Sequence, residues 1–136
     1  MSAHSVVIVD YGMGNVGSIR NMLSGMGAAA EPGGGPDVIV RAQRLVLPGV
    51  GAIDEAMTTL RRTHLVEALC ERAESHRRPL LGVCLGMQRL LEGSEEGVER
   101  GLGLTPGTCQ RFPTRSELGP LRIPHVGWND VTVAKV

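Results

Sequence analysis

Among the three cysteines and four histidines of this 136-residue chain, one cysteine stands in a pattern that suggests chemistry. Cys84 lies in PLLGVCLGMQRLL, Pro79 to Leu91, with Gly82 and Gly86 two residues to either side. The G-x-C-x-G spacing is that of a nucleophile elbow with sulfur in place of the serine oxygen. Pro79 to Val83 reads as a short apolar strand, and an amphipathic helix opens at Leu85. A strand that turns abruptly into a helix holds its tip residue in a strained conformation, and neighbours without a Cβ let the chain fold back closely. The tip then sits at a helix N-terminus, where unpaired N–H groups and the macrodipole favour an anion, a thiolate included. Free cysteines are more often inert core residues. That is the reading for Cys70, inside an apolar helical stretch, and for Cys109, inside a short β segment.

A thiolate alone does not cleave an amide. Acyl transfer also needs N–H donors aimed at the developing oxyanion. Leu85, directly after Cys84, offers one N–H. Pro48-Gly-Val-Gly51 offers a second from Val50 or Gly51, its glycines freeing the peptides to turn. A third glycine-rich stretch, Tyr11-Gly-Met-Gly-Asn15, also follows an apolar run. In open α/β sheets, sites form outside the carboxyl ends of the strands, so the three loops are expected to converge. Gly12-x-Gly14-x-x-Gly17, with Glu31 some way on, imitates a dinucleotide fingerprint. Asp10 and Tyr11 intervene before the first glycine and bring a carboxylate to the place a pyrophosphate needs. The stretch is therefore read as a tight strand-to-helix turn.

The elements that must carry these loops are legible in order. Val6 to Asp10 is a continuous apolar run, as suits a strand buried on both faces. The following helix has Ile19, Met22, Leu23 and Met26 at i, i+3, i+4, i+7, and Gly27 as its C-cap. Ala28 to Ala30 is a weak second strand, Pro32 to Pro36 a loop, and Asp37 to Arg44 ambiguous. Leu45 to Leu47 is a third strand. Ile53, Ala56, Met57 and Leu60 repeat the helical spacing, and Leu65, Leu69 and Ala73 mark another helix from about His64 to Ser75. Strands alternating with such helices imply right-handed βαβ units in a doubly wound, mostly parallel α/β sheet with helices on both faces. After Gly93 the pattern changes to Gly, Pro and short β segments at Leu102–Leu104, Thr108–Phe112, Leu121–His125 and Asp130–Val136. These are expected to add antiparallel hairpins or edge strands to the sheet.

Lys+Arg and Asp+Glu are both 14, so no net field gathers nucleic acid or an anionic membrane. Lys135 is the only lysine, and the pairs Arg61–Arg62 and Arg77–Arg78 read as solvated helix ends. An odd cysteine count without C-x-x-C spacing argues against a disulfide framework or a metal site, and for a reducing compartment. No apolar run reaches transmembrane length, and no linker divides the chain. The expectation is a cytoplasmic domain needing no cofactor or metal.

GVCLGMQ, with SEEG a few residues later, resembles the nucleophile region of the class I glutamine amidotransferases, whose fold is flavodoxin-like. DYGMGN, LPGVGA and PHVGWN together resemble one branch, the glutaminase subunits of imidazole glycerol phosphate synthase in histidine biosynthesis. The four motifs run in order over nearly all 136 residues. The resemblance implies that Cys84 attacks the side-chain amide of glutamine, with the Val50 and Leu85 N–H groups as the oxyanion hole. It implies that Gly51, Gln88 and Glu96 line the glutamine pocket. Asn15, His125, Val126 and Trp128 would face a (β/α)₈-barrel cyclase partner that receives the ammonia. In this family the base histidine and its orienting carboxylate come from an H-x-E motif. None of His4, His64, His76 and His125 is followed by x-Glu. Residues 1–136 are thus expected to form an incomplete amidotransferase domain, with that motif beyond Val136. The alternative is a glutaminase-like binding subunit without catalysis.

Overall fold

The computed structural model describes residues 5–113, 123–124 and 126–134, and of residue 76 the backbone alone. Four strands, β1 (Val6–Val9), β2 (Ala30–Gly33), β3 (Arg44–Leu47) and β4 (Leu80–Gly82), form an all-parallel sheet in the order β2-β1-β3-β4. β1 pairs with both β2 and β3, so Val6 lies between Ala30 and Arg44. The strand order reverses between β1 and β3, which makes their carboxyl ends the switch point where such sheets bind ligands.

All four residues of β1 are buried, and their side chains alternate between two apolar layers. Val7 and Val9 join Leu45 and Leu47 under α3 (Ile53–Arg62) and α4 (Leu65–His76), while Val6, Ile8 and Val46 meet α1 (Val16–Gly25) on the opposite face. Helices therefore cover both faces, as the apolar run of β1 implies. Burying Ile53, Met57 and Leu60 of α3 contributes about 1.5–3 kcal/mol each. The same helix carries Asp54 and Glu55 in its first turn and Arg61 and Arg62 in its last, complementing its dipole. α1 is capped by Asn15 Oδ1, which accepts from Ser18 N at 3.0 Å. It ends in a Schellman turn at Gly27 (φ +78°), where Ala28 N donates to Leu23 O at 2.9 Å.

Several expectations change. The second strand is Ala30–Gly33 and extends into the glycine run read as a loop. The ambiguous stretch forms a short helix, α2 (Pro36–Arg41), opened by Pro36 at its first position. Along α1, Ile19 and Leu23 pack but Met22 and Met26 are largely exposed. Beyond the elbow helix α5 (Leu85–Leu90), the expected antiparallel additions do not form among the described residues. A two-residue strand β5 (Gly93–Ser94) pairs in parallel with β6 (Thr108–Cys109), in a sheet separate from the main one. Leu102–Leu104 and 130–134 are neither helix nor strand, and of Leu121–His125 only Ile123 and Pro124 lie within the described residues. Apolar alternation in DVTV does not by itself make a strand.

Two arginines read as solvated are used by the fold. Arg78 Nη1 donates to the carbonyls of Val40 (3.4 Å) and Arg41 (3.0 Å) at the end of α2. Arg61 forms an ion pair with Glu99 and donates to Arg100 O at 3.2 Å. A third, Arg72, falls at i+3 from Leu69 on the buried face of α4 and is fully buried. Its guanidinium donates to Ala42 O (3.2 Å), Gln43 O (3.2 Å), Arg78 O (3.1 Å) and Pro79 O (2.8 Å). Those carbonyls precede β3 and β4, so one side chain satisfies the backbone where both strands begin. Burial pulls the Arg72 pKa below its ordinary value, with nearby Arg78 adding to the shift. Arg72→Leu removes the donor from Ala42 O, Gln43 O and Arg78 O, while Pro79 O keeps Leu45 N at 3.1 Å. It is expected to cost roughly 3 kcal/mol in urea unfolding, against under about 0.5 kcal/mol for Arg62→Ala. A loss below about 1 kcal/mol would mean that water replaces the guanidinium.

Candidate active site

The sheet delivers the cysteine through its own ladder. Val83 N donates to Leu47 O at 3.0 Å, one step past the paired residues of β3 and β4. The chain then turns at Cys84, whose φ of 55° and ψ of −119° lie outside the regions open to ordinary L-residues. Such a conformation costs of order 1–3 kcal/mol and persists only when the surroundings fix it. Here two glycines let them do so. A Cβ on Gly86 would fall 1.8 Å from Leu47 O, and one on Gly82 2.6 Å from Met87 Cα. α5 therefore begins directly against the end of β3. Leu85 and Gly86 are buried while Cys84 between them and Val83 is exposed. The elbow predicted from G-x-C-x-G is present in the backbone.

The PGVG loop lies on this turn. A Cβ on Gly49 would meet Gly86 N and Leu85 Cβ, each at 2.9 Å, so only glycine fits. Val50 is half-exposed and Gly51, at φ +86°, is exposed. Leu85, as the first residue of α5, has no acceptor for its N–H within the helix. The YGMGN loop closes from the other side: a Cβ on Gly14, which stands at φ +140°, would fall 3.0 Å from Pro48 Cβ. The three loops do converge, at the switch-point edge of the sheet.

A polar contact holds them there that the sequence reading missed. Arg89, fully buried, donates from Nη2 to Pro48 O (2.6 Å) and Tyr11 Oη (2.6 Å), and from Nε to Leu85 O (3.3 Å). The Tyr11 hydroxyl donates in turn to Pro48 O at 3.1 Å, and the guanidinium lies 4.8 Å from the Tyr11 ring centroid. Burial pushes the tyrosine pKa up, with Arg89 opposing, so the hydroxyl keeps its proton and remains a donor. Burial pulls the Arg89 pKa down, with Tyr11 opposing. The signal in the sequence was an arginine at i+4 from Leu85, on the same helix face, together with the chain's single tyrosine.

The remaining residues divide. Gln88 is half-buried on α5, and its Oε1 is shut off from solvent without a protein partner, an acceptor left open for a donor. Glu96 is exposed on the loop after β5, where its N–H donates to Ser94 Oγ at 3.2 Å. Asp54, in the first turn of the helix that follows PGVG, accepts from Val98 N (3.0 Å) and Glu99 N (2.9 Å), which ties the SEEG loop to the same end of the molecule. Asn15 is exposed, and its side chain caps α1. Val126 and Trp128 are exposed in irregular chain, Trp128 fully, and so stand outside the packed cluster. His125 and His4 lie outside the described residues. His64 is exposed, in the left-handed conformation that opens α4.

A family profile described as glutamine amidotransferase class-I matches residues 7–130. The chain belongs to the class-I glutamine amidotransferases. Among curated relatives it is 45% identical over 127 residues to an imidazole glycerol phosphate synthase subunit HisH 2 of Pseudomonas aeruginosa, covering 93% of this chain and 61% of that protein. It is 48% identical over 130 residues to the subunit HisH of Synechococcus elongatus (96% and 58%). It is 47% identical over 131 residues to the chloroplastic imidazole glycerol phosphate synthase hisHF of Arabidopsis thaliana, covering 96% of this chain and 22% of the plant protein. The chain thus spans about three fifths of the bacterial relatives' length and about a fifth of the plant one's. The parallel sheet and the elbow agree with the family resemblance of GVCLGMQ and LPGVGA.

In this amidotransferase domain the three thiols differ in ways that labelling can read. Cys84 is exposed, while Cys70 and Cys109 are half-buried. Burial pushes the Cys70 thiol pKa up, and Glu74 and Glu67 push it further. Burial and Glu96 do the same at Cys109. A raised thiol pKa moves thiolate formation to higher pH. Limiting iodoacetamide at neutral pH is therefore expected to label Cys84 first, with Cys70 and Cys109 following only as the pH is raised well into the alkaline range. Labelling of Cys70 ahead of Cys84 in mass spectra would contradict the elbow.

Proposed function

We propose that residues 1–136 are the nucleophile-bearing part of one amidotransferase domain, the glutaminase of an imidazole glycerol phosphate synthase in cytoplasmic histidine biosynthesis. The observation that carries the reading is the exposed Cys84 at positive φ on the strand–helix turn, with PGVG packed against it. The names of the HisH relatives support the branch.

In this reading Cys84 Sγ attacks the side-chain amide carbon of glutamine. The carbonyl oxygen takes the displaced electron pair and is stabilised by the Val50 and Leu85 N–H groups. Collapse of the intermediate breaks the C–N bond and releases ammonia, leaving a γ-glutamyl thioester. Water then cleaves the thioester to glutamate and restores the thiol. Gln88 and Glu96 hold the α-carboxylate and α-amino ends, the Glu96 carboxylate facing the ammonium. A carboxylate offers no donor, so Gln88 meets it through its Nε2 amide, and the open Oε1 is left for a donor such as the neighbouring ammonium. Gly51 lines the pocket, and its lack of a side chain keeps the entrance clear. A histidine oriented by a carboxylate takes the thiol proton and returns it to the leaving ammonia. We place that pair in an H-x-E segment following residue 136. The ammonia passes to a (β/α)₈-barrel cyclase docked on Asn15, His125, Val126 and Trp128. No cofactor or metal enters any step.

Two measurements test this. Glutamate release by the 136-residue chain with its cyclase partner is expected to be lower, by at least about 10²–10⁴-fold, than release by a version extended through the H-x-E segment. Cys84→Ser is expected to abolish turnover in both. Equal turnover by the short and extended chains would sink the assignment of the base. Separately, Trp128→Ala is expected to weaken cyclase binding by roughly 2 kcal/mol in calorimetry. Its fully exposed ring predicts an unchanged melting temperature. Unaltered binding would remove Trp128 from the interface.

A further inference from the structure

We infer that Arg89, acting through the Tyr11 hydroxyl and the Pro48 carbonyl, is a positioning residue that sets the direction of the Val50 N–H over Cys84. The inference rests on the reading of Cys84 and Val50 given above. Pro48 lies two residues before Val50, and its carbonyl receives two hydrogen bonds, from Arg89 Nη2 at 2.6 Å and from Tyr11 Oη at 3.1 Å. Both donors are buried, so water does not compete for this acceptor. Gly49, the residue between, has no room to shift. A Cβ there would fall 2.3 Å from Arg89 Nη2 and 2.9 Å from Gly86 N. The Pro48–Gly49 peptide is thus pinned at its oxygen and confined at the next Cα, and the chain leaves it toward Val50 in one direction. Past that point the constraint ends: Val50 is half-exposed and Gly51 is free to take φ +86°. The same arginine donates from Nε to Leu85 O, in the residue that carries the other proposed donor. One planar guanidinium therefore references both N–H groups to each other. A lysine, with a compact point charge and no fork, does not reproduce that arrangement.

The distinction between positioning and mere support is visible in two reactions of the same thiol. p-Nitrophenyl acetate acylates Cys84 through a tetrahedral oxyanion, giving a thioester and p-nitrophenolate. Iodoacetamide alkylates it by direct displacement of iodide and builds no oxyanion. Both rates are measured on the 136-residue chain, with Cys84→Ser as the blank and circular dichroism as the check of folding. Arg89→Met is expected to slow acylation about tenfold, below the roughly 10²–10³ that follows outright deletion of an oxyanion donor, and to leave alkylation within about twofold. Arg89→Lys recovers part of the loss. Tyr11→Phe removes one oxygen without disturbing packing, and is expected to lower acylation selectively by a smaller factor. It carries the test alone should Arg89→Met unfold. A parallel fall in both rates, or no change in either, overturns the inference and makes the arginine a packing residue. If the unsubstituted chain alkylates normally at Cys84 but releases no Cys84-dependent nitrophenolate, the oxyanion reading of Val50 and Leu85 fails first, and the role given to Arg89 falls with it.

Discussion

The site depends on one buried guanidinium. Three loops from three strands have to meet at the edge of the sheet, and loops carry backbone groups that neither strand nor helix satisfies. Arg89 supplies donors where Pro48 O and Leu85 O need them and draws in the Tyr11 hydroxyl. Burying such a charge without a carboxylate is costly, and the lowered pKa of Arg89 reflects it. The cost is offset in part by carbonyl dipoles around Nη2 and Nε and by the aromatic face beneath the guanidinium, while Nη1 is buried without a partner among the described residues. Removing the arginine therefore does more than delete a contact. It leaves Pro48 O to the Tyr11 hydroxyl and takes the Nε bond from Leu85 O, in a place that solvent does not reach.

Arg72 solves the same problem at the other end of the same strands. It collects the carbonyls of Ala42, Gln43, Arg78 and Pro79 just before β3 and β4 begin, while Arg89 takes Pro48 O just after β3 ends. A parallel pair needs long crossovers, so its strand ends are always flanked by turning chain with unpaired groups. Here two fully buried arginines bracket β3 and β4, and both project from the helices that flank β4 in sequence, α4 and α5. The rigid ladder between them, Leu45 to Leu80 through Leu47 to Gly82, is what holds Cys84 in register with PGVG. The strain at Cys84 is bearable because both strands that frame it are fixed at each end.

Much of this was legible because apolar periodicity and glycine spacing report local geometry. The elbow, the convergence of three loops, β1 and the buried face of α3 all follow from residues within a few positions of one another. The two arginines did not, because a charged residue on an apolar helical face is normally read as an error in the period. Only long-range partners, Tyr11 and Pro48 for Arg89 and the α2–β3 turn for Arg72, make those positions sensible. The failure after residue 93 has the opposite cause. Short alternating segments such as Thr108–Phe112 and Asp130–Val136 carry strand propensity but no information about an edge to pair with, and β propensity is decided by neighbours. Among the described residues only Thr108–Cys109 finds one, and its partner is Gly93–Ser94 rather than the main sheet.

The SEEG loop shows how an irregular segment is held in place by anchors at both ends. Glu95 N donates to Cys109 O at 2.9 Å, and the Glu95 carboxylate accepts from Arg111 N at 2.8 Å. On the far side Asp54 receives Val98 N and Glu99 N, and Gly97 is confined against it, since a Cβ there would fall 2.3 Å from Asp54 Oδ1. Glu96 is the residue between these two anchors. Its backbone is fixed by Ser94 Oγ and its side chain is left in solvent, close enough to Cys109 to raise that thiol's pKa. A carboxylate fixed in position but unpaired is costly only when buried. Left exposed, Glu96 is open to a cation arriving from solution, as its proposed pairing with the ammonium end of glutamine needs.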